Sequence, residues 1–217
     1  MRKIILTNNE YYHVFNRGTD KRNVFLDRED LDRFIQSMNV FNSVSTVGSI
    51  YEHSLAKKQL GDSISKLKNY DKLVEFIAYC LNPNHYHFIL KQVSDNGIQK
   101  FMHKLSIGYS LYFNKKNDRS GSLFQGRYKA IHINSNEYLL HLSAYVNLND
   151  RVHQINRLGD SISKSSWDEY SGEDDDHICE KDIILKQFDN IDQYRNFSES
   201  SLETMLQRKD MEKILLE

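Results

Sequence analysis

Proline, cysteine and glycine are scarce in this sequence of 217 residues, which holds one, two and nine of them respectively. Cys80 and Cys179 stand far apart and form no metal-type pair, so we expect reduced thiols in a cytosolic protein, not a disulfide framework. With Pro83 as the only proline, the turns must rely on Asn, Asp and Ser. The apolar runs are far shorter than the roughly 20 residues of a membrane span. The start of the chain predicts no signal peptide.

Charge is nearly balanced over the whole chain, with a net charge of −1, but its two parts differ. Residues 1–150 carry a net charge of +6, and residues 151–217 carry −7. The densest basic stretch comprises Lys100, Lys104, Lys115, Lys116, Arg119, Arg127 and Lys129. Such a stretch is typical either of a solvated surface or of a surface that binds a nucleic-acid backbone. The total charge therefore does not exclude a nucleic-acid partner.

The hydrophobic pattern predicts an alternation of strands and helices. Strands are expected at residues 10–16, 72–81, 85–93 and 127–133, and helices at 27–44, 98–113 and 137–148 with Ser135 as N-cap. The order β-α-β-β-α-β indicates an α+β ferredoxin-like split sandwich, an antiparallel sheet with helices on one face. The last helix and a small C-terminal helical tail are additions to this fold.

Two regions lie outside the regular pattern. We expect residues 1–150 to form the domain, with an insertion or loop at 45–70, and residues 151–217 to form an acidic tail that packs on it or flanks it. The stretch 168–176 holds six acids in nine positions and is favoured as a solvated loop over a lid or a protein-binding tail. We expect residues 180–217 to form two short helices. The segment LGDSISK occurs twice, at 60–66 and 158–164, without a longer period, so it is no repeat architecture.

His85 and His87 stand two apart on a predicted strand, so both imidazoles project from one face of the sheet. Two neutral imidazoles on one face can share a divalent cation. Histidines that only face solvent on a strand are the competing interpretation, and the His-x-His spacing alone does not decide between them.

The helix predicted at 137–148 carries a polar stripe of His141, Tyr145 and Asn149 at intervals of four. A tyrosine on a helix usually packs in or beside the core, but next to a metal its phenol can act as a nucleophile on phosphorus. The Asn149 amide oxygen is a candidate third metal ligand. This mixture of ligands, with no thiolate, suits Mg²⁺ or Mn²⁺ better than structural Zn²⁺.

Four motifs in this order resemble those of the REP-associated tyrosine transposases, a branch of the single-tyrosine HUH transposases. The motifs are YHVFNRG at 12–18, YCLNPNHYH at 79–87, GSLFQGRYK at 121–129 and YLLHLSAYVNLN at 138–149, and SWDEY at 166–170 resembles a common tail. The chain has Asn149-Asp150 where the family pattern commonly has Asn-Pro. This departure removes no catalytic residue.

The resemblance implies a mechanism and a set of residues. His85 and His87 would be metal ligands with Asn149 as the third, and Mg²⁺ or Mn²⁺ would be the cofactor. Tyr145 would attack single-stranded DNA beside a hairpin, leaving a 5′-phosphotyrosine linkage and a free 3′-hydroxyl, without a nucleotide cofactor. Whether such a protein works as a monomer or a homodimer stays open. A protein that binds hairpin DNA without cutting it, and a phosphodiesterase that uses water, are the alternatives.

Several basic and aromatic residues are candidates for DNA contact. Arg17 and Arg127 match family motif positions, and Lys100, Lys104 and Lys129 belong to the basic stretch, so we expect these five to contact phosphates. A solvated surface is the competing interpretation for each of them. Phe124 and Tyr128 could stack on unpaired bases or pack in the core. His13 is expected to be structural, and the sequence assigns no role to His103 or His141.

Overall fold

The computed structural model of the chain describes residues 4–45, 72–153, 155, 162–173 and 178–214. The strands are β1 (Tyr11–Arg17), β2 (Val74–Asn82), β3 (His85–Gln92), β4 (Lys129–His132) and β5 (Lys164–Ser165). The helices are α1 (Arg28–Phe41), α2 (Gly97–Lys116), α3 (Asn136–Asn147), α4 (Asn149–Val152), α5 (Trp167–Ser171), α6 (Asp182–Leu185) and α7 (Ile191–Ile214), and Thr19–Lys21 forms a 3-10 turn. All but the first residue of the expected insertion at 45–70, including the first copy of LGDSISK, lies outside the described residues.

The five strands form one antiparallel sheet in the order β4-β1-β3-β2-β5. The first four strands have the order of the ferredoxin-like sandwich, so the predicted fold class is confirmed. A two-residue turn, Pro83 and Asn84, joins β2 to β3 and sets Asn82 opposite His85. Val24 and Phe25 donate backbone hydrogen bonds to the Pro83 carbonyl, and these bonds fix the turn against the chain that leads into α1.

Alternate residues of β3 face two different helical layers. Tyr86 and Phe88 are buried and pack against Phe34 of α1, on the face that α1 and α2 cover. His87 points to the opposite face, where its ring lies edge-on to Tyr145 of α3. The period of two along a strand therefore separates the apolar core from a polar face beneath α3.

Side-chain caps begin two of the helices. The Asp27 carboxylate accepts a hydrogen bond from the Asp30 backbone amide at the start of α1. Ser135 does the same for Tyr138 in α3, as its predicted N-cap role requires. Helix α3 ends one residue earlier than predicted, because Leu148 leaves the helical conformation and Asn149 begins the separate turn α4.

The C-terminal segment differs from its prediction. Residues 168–171 belong to helix α5, where Tyr170 is fully buried and donates a hydrogen bond to the Ile77 carbonyl at 2.7 Å. Glu169 is also buried and accepts a hydrogen bond from the Cys179 amide. The solvated-loop prediction is therefore wrong for this part, because the aromatic residues anchor it despite the acids, and residues 174–177 lie outside the described residues.

The end of the chain holds one short and one long helix, α6 and α7, where two short helices were predicted. Tyr194 of α7 is fully buried against α3 and α5, so this helix shares the core of the domain. None of the described helices is long and apolar enough to cross a membrane.

Candidate active site

The sheet brings three imidazoles together on the face beneath α3. His85 and His87 project from β3, and the register of β1 places Phe15 opposite His87 and His13 two pairs further on, opposite Ile89. The His13 Nε2 and His87 Nδ1 atoms lie 2.8 Å apart, so one ring donates a hydrogen bond to the other. His13, expected from the sequence to be only structural, therefore orients a predicted ligand.

The hydrogen bonds of His85 fix which of its nitrogens is free to bind a ligand. Its Nδ1 lies 2.6 Å from the Asn84 Oδ1 atom, and because an amide oxygen only accepts, Nδ1 carries the proton. Its Nε2 is then unprotonated and accepts from Asn82 Nδ2 at 3.0 Å. The same Nε2 faces the Asn149 Oδ1 atom at 3.2 Å, so two lone-pair donors converge there.

Asn149 is buried at the start of α4, beside Tyr145 but on a different helix. Its Oδ1 accepts a hydrogen bond from Asn82 Nδ2 at 2.7 Å. Its Nδ2 is buried without a hydrogen-bond partner among the described residues. The oxygen of the Asn149 amide therefore faces His85, as a shared metal ion would require.

The residues present fit a divalent cation of the Mg²⁺ or Mn²⁺ type. His85 Nε2 and Asn149 Oδ1 face one another, and a second imidazole, His87, stands on the same face. In the part of the chain that the structure describes, no group of three or more His, Cys, Asp or Glu residues is placed to hold a metal. The fit therefore depends on the amide oxygen, a ligand that hard cations accept.

Tyr145 stands directly over these imidazoles. Its ring centroid lies 5.6 Å from that of His87 and 6.5 Å from that of His13, both edge-on. Burial raises the pKa of the half-buried Tyr145 phenol, while the nearby Asn149 side chain acts in the opposite direction. The phenol is thus held protonated next to a set of neutral nitrogen atoms.

Burial also keeps the imidazoles uncharged. It lowers the pKa of His13 to about 4 and lowers the pKa of His85 and His87 from their usual value. For His87 the neighbouring His13 and His85 act in the same direction. Near neutral pH these rings are therefore available as lone-pair donors.

His85 and His87 line a cleft of about 840 Å³, and three basic side chains belong to the same lining. Arg17 and Lys129 were predicted from the sequence, whereas Lys21 and His153 were not. The ring of His153 lies 5.2 Å from that of His85. Its spacing, eight residues after Tyr145 and four after Asn149, is the signal that could have identified it.

Arg17 ends β1, Lys129 begins the paired strand β4, and both side chains line this cleft. The Arg17 Nε donates a hydrogen bond to Gln125 Oε1, which also lines the cleft. The Lys129 ammonium lies 5.9 Å from the centre of the Phe15 ring, a cation–π contact. Arg127 is exposed just before β4 and is not among the residues that line the cleft.

Lys100 and Lys104 lie on α2, across the sheet from the cleft. Lys100 is exposed, and the Lys104 ammonium donates hydrogen bonds to the carbonyls of Ser43 and Ser45. Lys116 of the same helix pairs with Asp27, Glu29 and Asp30. DNA contact by Lys100 and Lys104 stays a prediction. It would require the DNA strand to pass around the edge of the domain from the cleft to α2.

Four other residues considered in the sequence lie away from the imidazoles. Phe124 is buried against Tyr86 and Tyr109, in the core, and Tyr128 packs half-buried against the same core. His103 is exposed on α2. His141, one turn before Tyr145, is exposed and packs against Phe197 of α7.

Comparisons with known proteins indicate the same group of transposases as the sequence motifs. Residues 7–149 match the family described as "Transposase IS200 like". A solved structure of a REP-associated tyrosine transposase bound to a REP hairpin superposes with a TM-score of 0.51 at 11% sequence identity, covering 83% of this chain and 96% of that one. No match was found among the curated proteins. At this identity the structural likeness shows the fold, and the family rests on the sequence match.

Proposed function

Because the chain belongs to the IS200-like transposase family, we propose that it cleaves and rejoins single-stranded DNA through Tyr145 with the help of a divalent cation. The REP hairpin bound to the solved neighbour supports a substrate that carries a DNA hairpin beside the cleavage position. The four sequence motifs support the same class of reaction.

The observation that carries this proposal is the position of Tyr145. Its phenol faces the ring of His87, and the unprotonated His85 Nε2 and the Asn149 Oδ1 converge next to it. A nucleophile and a set of metal-type ligands thus lie together, and two of these ligands, His85 and His87, also line the basic cleft. A tyrosine that served only for packing would not need to lie beside such ligand atoms.

The basic side chains account for binding of the substrate. Arg17, Lys21 and Lys129 line the cleft and can each contact a phosphate of an extended strand. Such contacts position the strand without reading its sequence. They would bring one phosphorus atom into line with the Tyr145 oxygen.

The reaction balances without a nucleotide cofactor. The Tyr145 oxygen forms a bond to phosphorus, the bond from phosphorus to the 3′-oxygen breaks, and one proton passes in net from the phenol to that oxygen. The products are a 5′-phosphotyrosine linkage and a free 3′-hydroxyl. Because the phosphodiester bond energy is kept in the linkage, attack by a 3′-hydroxyl restores the DNA strand.

The raised pKa of Tyr145 means that the phenol needs help to lose its proton. A divalent cation held by His85, His87 and Asn149 would polarise the phosphoryl oxygen and offset the charge that develops in the transition state. The role of His13 is to hold the ring of His87 in place through their hydrogen bond. The role of Asn84 is the same for His85.

A covalent-adduct assay tests the proposal. The protein is mixed with hairpin-bearing single-stranded DNA from its own genomic flanks and Mn²⁺, and denaturing gels compare the wild type with Tyr145→Phe and His85→Ala. We expect a metal-dependent protein–DNA band that both substitutions abolish. Tyr138→Phe, at the other end of α3, is the matched control and should keep the band.

The other outcomes identify the alternatives. Cleavage that survives Tyr145→Phe without any adduct would favour a water nucleophile over Tyr145. Specific binding of a hairpin with neither cleavage nor adduct would favour a protein that binds hairpin DNA without cutting it. Either result would contradict the proposed transferase chemistry.

A further inference from the structure

Asn82 is a fully buried asparagine that contacts two predicted metal ligands at once. It is the last residue of β2, directly opposite His85 across the two-residue turn. Its Nδ2 donates to Asn149 Oδ1 at 2.7 Å and to His85 Nε2 at 3.0 Å. The sequence predicts Asn82 only as part of a turn, and the family resemblance gives it no role.

The distances among these three side chains match those between neighbouring ligands of one ion. The atoms Asn82 Nδ2, Asn149 Oδ1 and His85 Nε2 form a triangle with sides of 2.7, 3.0 and 3.2 Å. Adjacent ligands of an octahedral ion with bonds of about 2.1 Å stand about 3 Å apart. The three atoms could therefore occupy one triangular face of such an octahedron, provided that the Asn82 atom is an oxygen.

A rotation of the Asn82 amide would supply that oxygen, and a bound cation would replace the two hydrogen bonds that the rotation breaks. An amide has the same shape after a half turn, with oxygen and nitrogen exchanged. In the present orientation the partner of its Oδ1 within the described residues is the Cys80 thiol, which donates a weak hydrogen bond at 3.5 Å. After the half turn Nδ2 could donate to that sulfur, because a thiol is both a weak donor and a weak acceptor.

We propose that Asn82 is a further protein ligand of the divalent cation, binding it through Oδ1 beside His85 and Asn149. The inference rests on the proposed function, since it names one more ligand of that same cation site. A cation would attract the Oδ1 atom and repel the N–H groups that now point between the two ligands. Metal binding and the rotation of the amide are therefore coupled.

Mn²⁺ binding to the intact chain tests this assignment without relying on activity. Free Mn²⁺ is measured by electron paramagnetic resonance during titration of the wild type, Asn82→Leu and Asn82→Asp. Leucine removes the oxygen, and we expect the dissociation constant to rise about 10-fold or more. Aspartate keeps an oxygen and adds a negative charge, and we expect binding at least as tight as in the wild type.

Two controls keep the test specific. Asn16→Leu replaces an asparagine that lines the cleft and bonds to the Gly126 carbonyl and the Arg17 amide but to no predicted ligand within the described residues, and it should leave the Mn²⁺ affinity unchanged. His85→Ala should abolish binding if the cation site exists. Thermal melting of each variant shows whether it is folded, and Asn82→Asp keeps the test valid where Asn82→Leu does not fold.

The possible results separate this proposal from the proposed function. Wild-type affinity in Asn82→Leu, or equal weakening by leucine and aspartate, would overturn the assignment of Asn82 as a ligand while leaving the cation site in place. Equal weakening would mean that the amide acts through its N–H groups alone. A wild-type protein that binds no Mn²⁺ would overturn the cation site as well.

Discussion

His13 illustrates what a single side chain contributes once its neighbours are known. It is 74 positions before its hydrogen-bond partner His87, and only the antiparallel pairing of β1 with β3 brings the two together. The imidazole ring lies against Phe15 as well, and burial lowers its pKa to about 4, so it stays neutral. A neutral ring that holds a predicted ligand in one orientation would be an outer-sphere partner of the proposed metal site.

Substitution of His13 by leucine should therefore weaken metal binding without unfolding the chain. We expect the dissociation constant for Mn²⁺ to rise about 10- to 100-fold, the usual cost of losing an outer-sphere partner. Titration with Mn²⁺ measures it. His132→Ala removes a β4 side chain whose Nε2 atom lies within hydrogen-bond distance of the Glu10 carboxylate, and this control should not change the constant. An unchanged constant in His13→Leu would assign His13 to packing alone.

At the level of residues, the sequence predicts the site in part. The spacing of His85 and His87 predicts a shared face, and in the structure their ring centroids lie 5.2 Å apart, with His87 against Tyr145. The sequence did not predict the contacts of His13 and Asn82, because these depend on strand register and on the geometry of one turn. The periodicity of residues within one strand or helix does not reveal contacts between residues of different elements.

Helix α3 depends on the C-terminal helix for its position. The Tyr194 hydroxyl of α7 bonds to Ser143 and Asn147 of α3, and Asn147 in turn accepts a hydrogen bond from Ser166. All four side chains are buried. The acidic C-terminal segment, which the sequence suggested as an appendage, thus holds the helix that carries Tyr145.

Removal of the Tyr194 hydroxyl tests this connection. Tyr194→Phe leaves the Asn147 amide N–H buried without its acceptor, and we expect a loss of about 1–3 kcal/mol in the free energy of unfolding. Urea unfolding followed by circular dichroism measures it. Tyr138→Phe is the control on α3, because its hydroxyl makes no hydrogen bond within the described residues. Equal stability of the two variants would mean that the network contributes little.

The start of α1 gives a pH-dependent prediction. The hydrogen bond from Lys116 and that from the Asp30 amide lower the pKa of Asp27, the N-cap of this helix. A carboxyl group with a lowered pKa in the folded state stabilises the protein above its unfolded pKa, near 4. That contribution is lost as the pH falls through the lower, folded pKa.

Asp27→Ala should accordingly cost about 1 kcal/mol at pH 7. The difference from the wild type should shrink below about pH 4, as Asp27 becomes protonated in the wild-type protein. Asn is also a good N-cap, so Asp27→Asn should retain most of the stability at pH 7. Urea unfolding at several pH values measures all three proteins. A difference that does not change with pH would show that the charge of Asp27 plays no part.

The element order could be predicted from the sequence, but some helix ends and contacts could not. The predicted order β-α-β-β-α-β and the following helix all appear in the structure. The break at Leu148 was missed because residues 145–149 keep helical spacing, although the backbone leaves the helix there. The burial of α5 was missed because its acids outweigh Trp167 and Tyr170 in a composition count.

On the scale of the whole molecule, the distribution of charge matters more than its sum. The net charge is −1, yet Arg17, Lys21 and Lys129 line the cleft. Part of the basic stretch is engaged elsewhere, since Lys116 is paired with three acids and Lys104 with backbone carbonyls. The surface that would meet a DNA strand is therefore smaller than the sequence suggests.

The salt dependence of DNA binding measures how many of these contacts form. Lys21→Ala removes one phosphate contact, and the slope of log affinity against log salt should fall in magnitude by about 1. Fluorescence anisotropy with a labelled single strand measures it. Lys186→Ala, whose ammonium pairs with Asp182 on α6, is the control. An unchanged slope in Lys21→Ala would place the strand outside the cleft.

Lys100→Ala is the paired measurement for the opposite face of the sheet. A slope that falls by about 1 would extend the DNA path onto α2, as the sequence predicts. An unchanged slope would confine the path to the cleft.

The central claim is that Tyr145 becomes joined to DNA, and peptide mapping of the adduct tests it most directly. Trypsin releases residues 130–151 as one peptide, which contains both Tyr138 and Tyr145. After nuclease digestion of the bound strand, tandem mass spectrometry reads which tyrosine carries the nucleotide. We expect a 5′-phosphonucleotide on Tyr145 and none on Tyr138. A nucleotide on Tyr138 or on another residue, or cleaved DNA with an unmodified peptide, would contradict it.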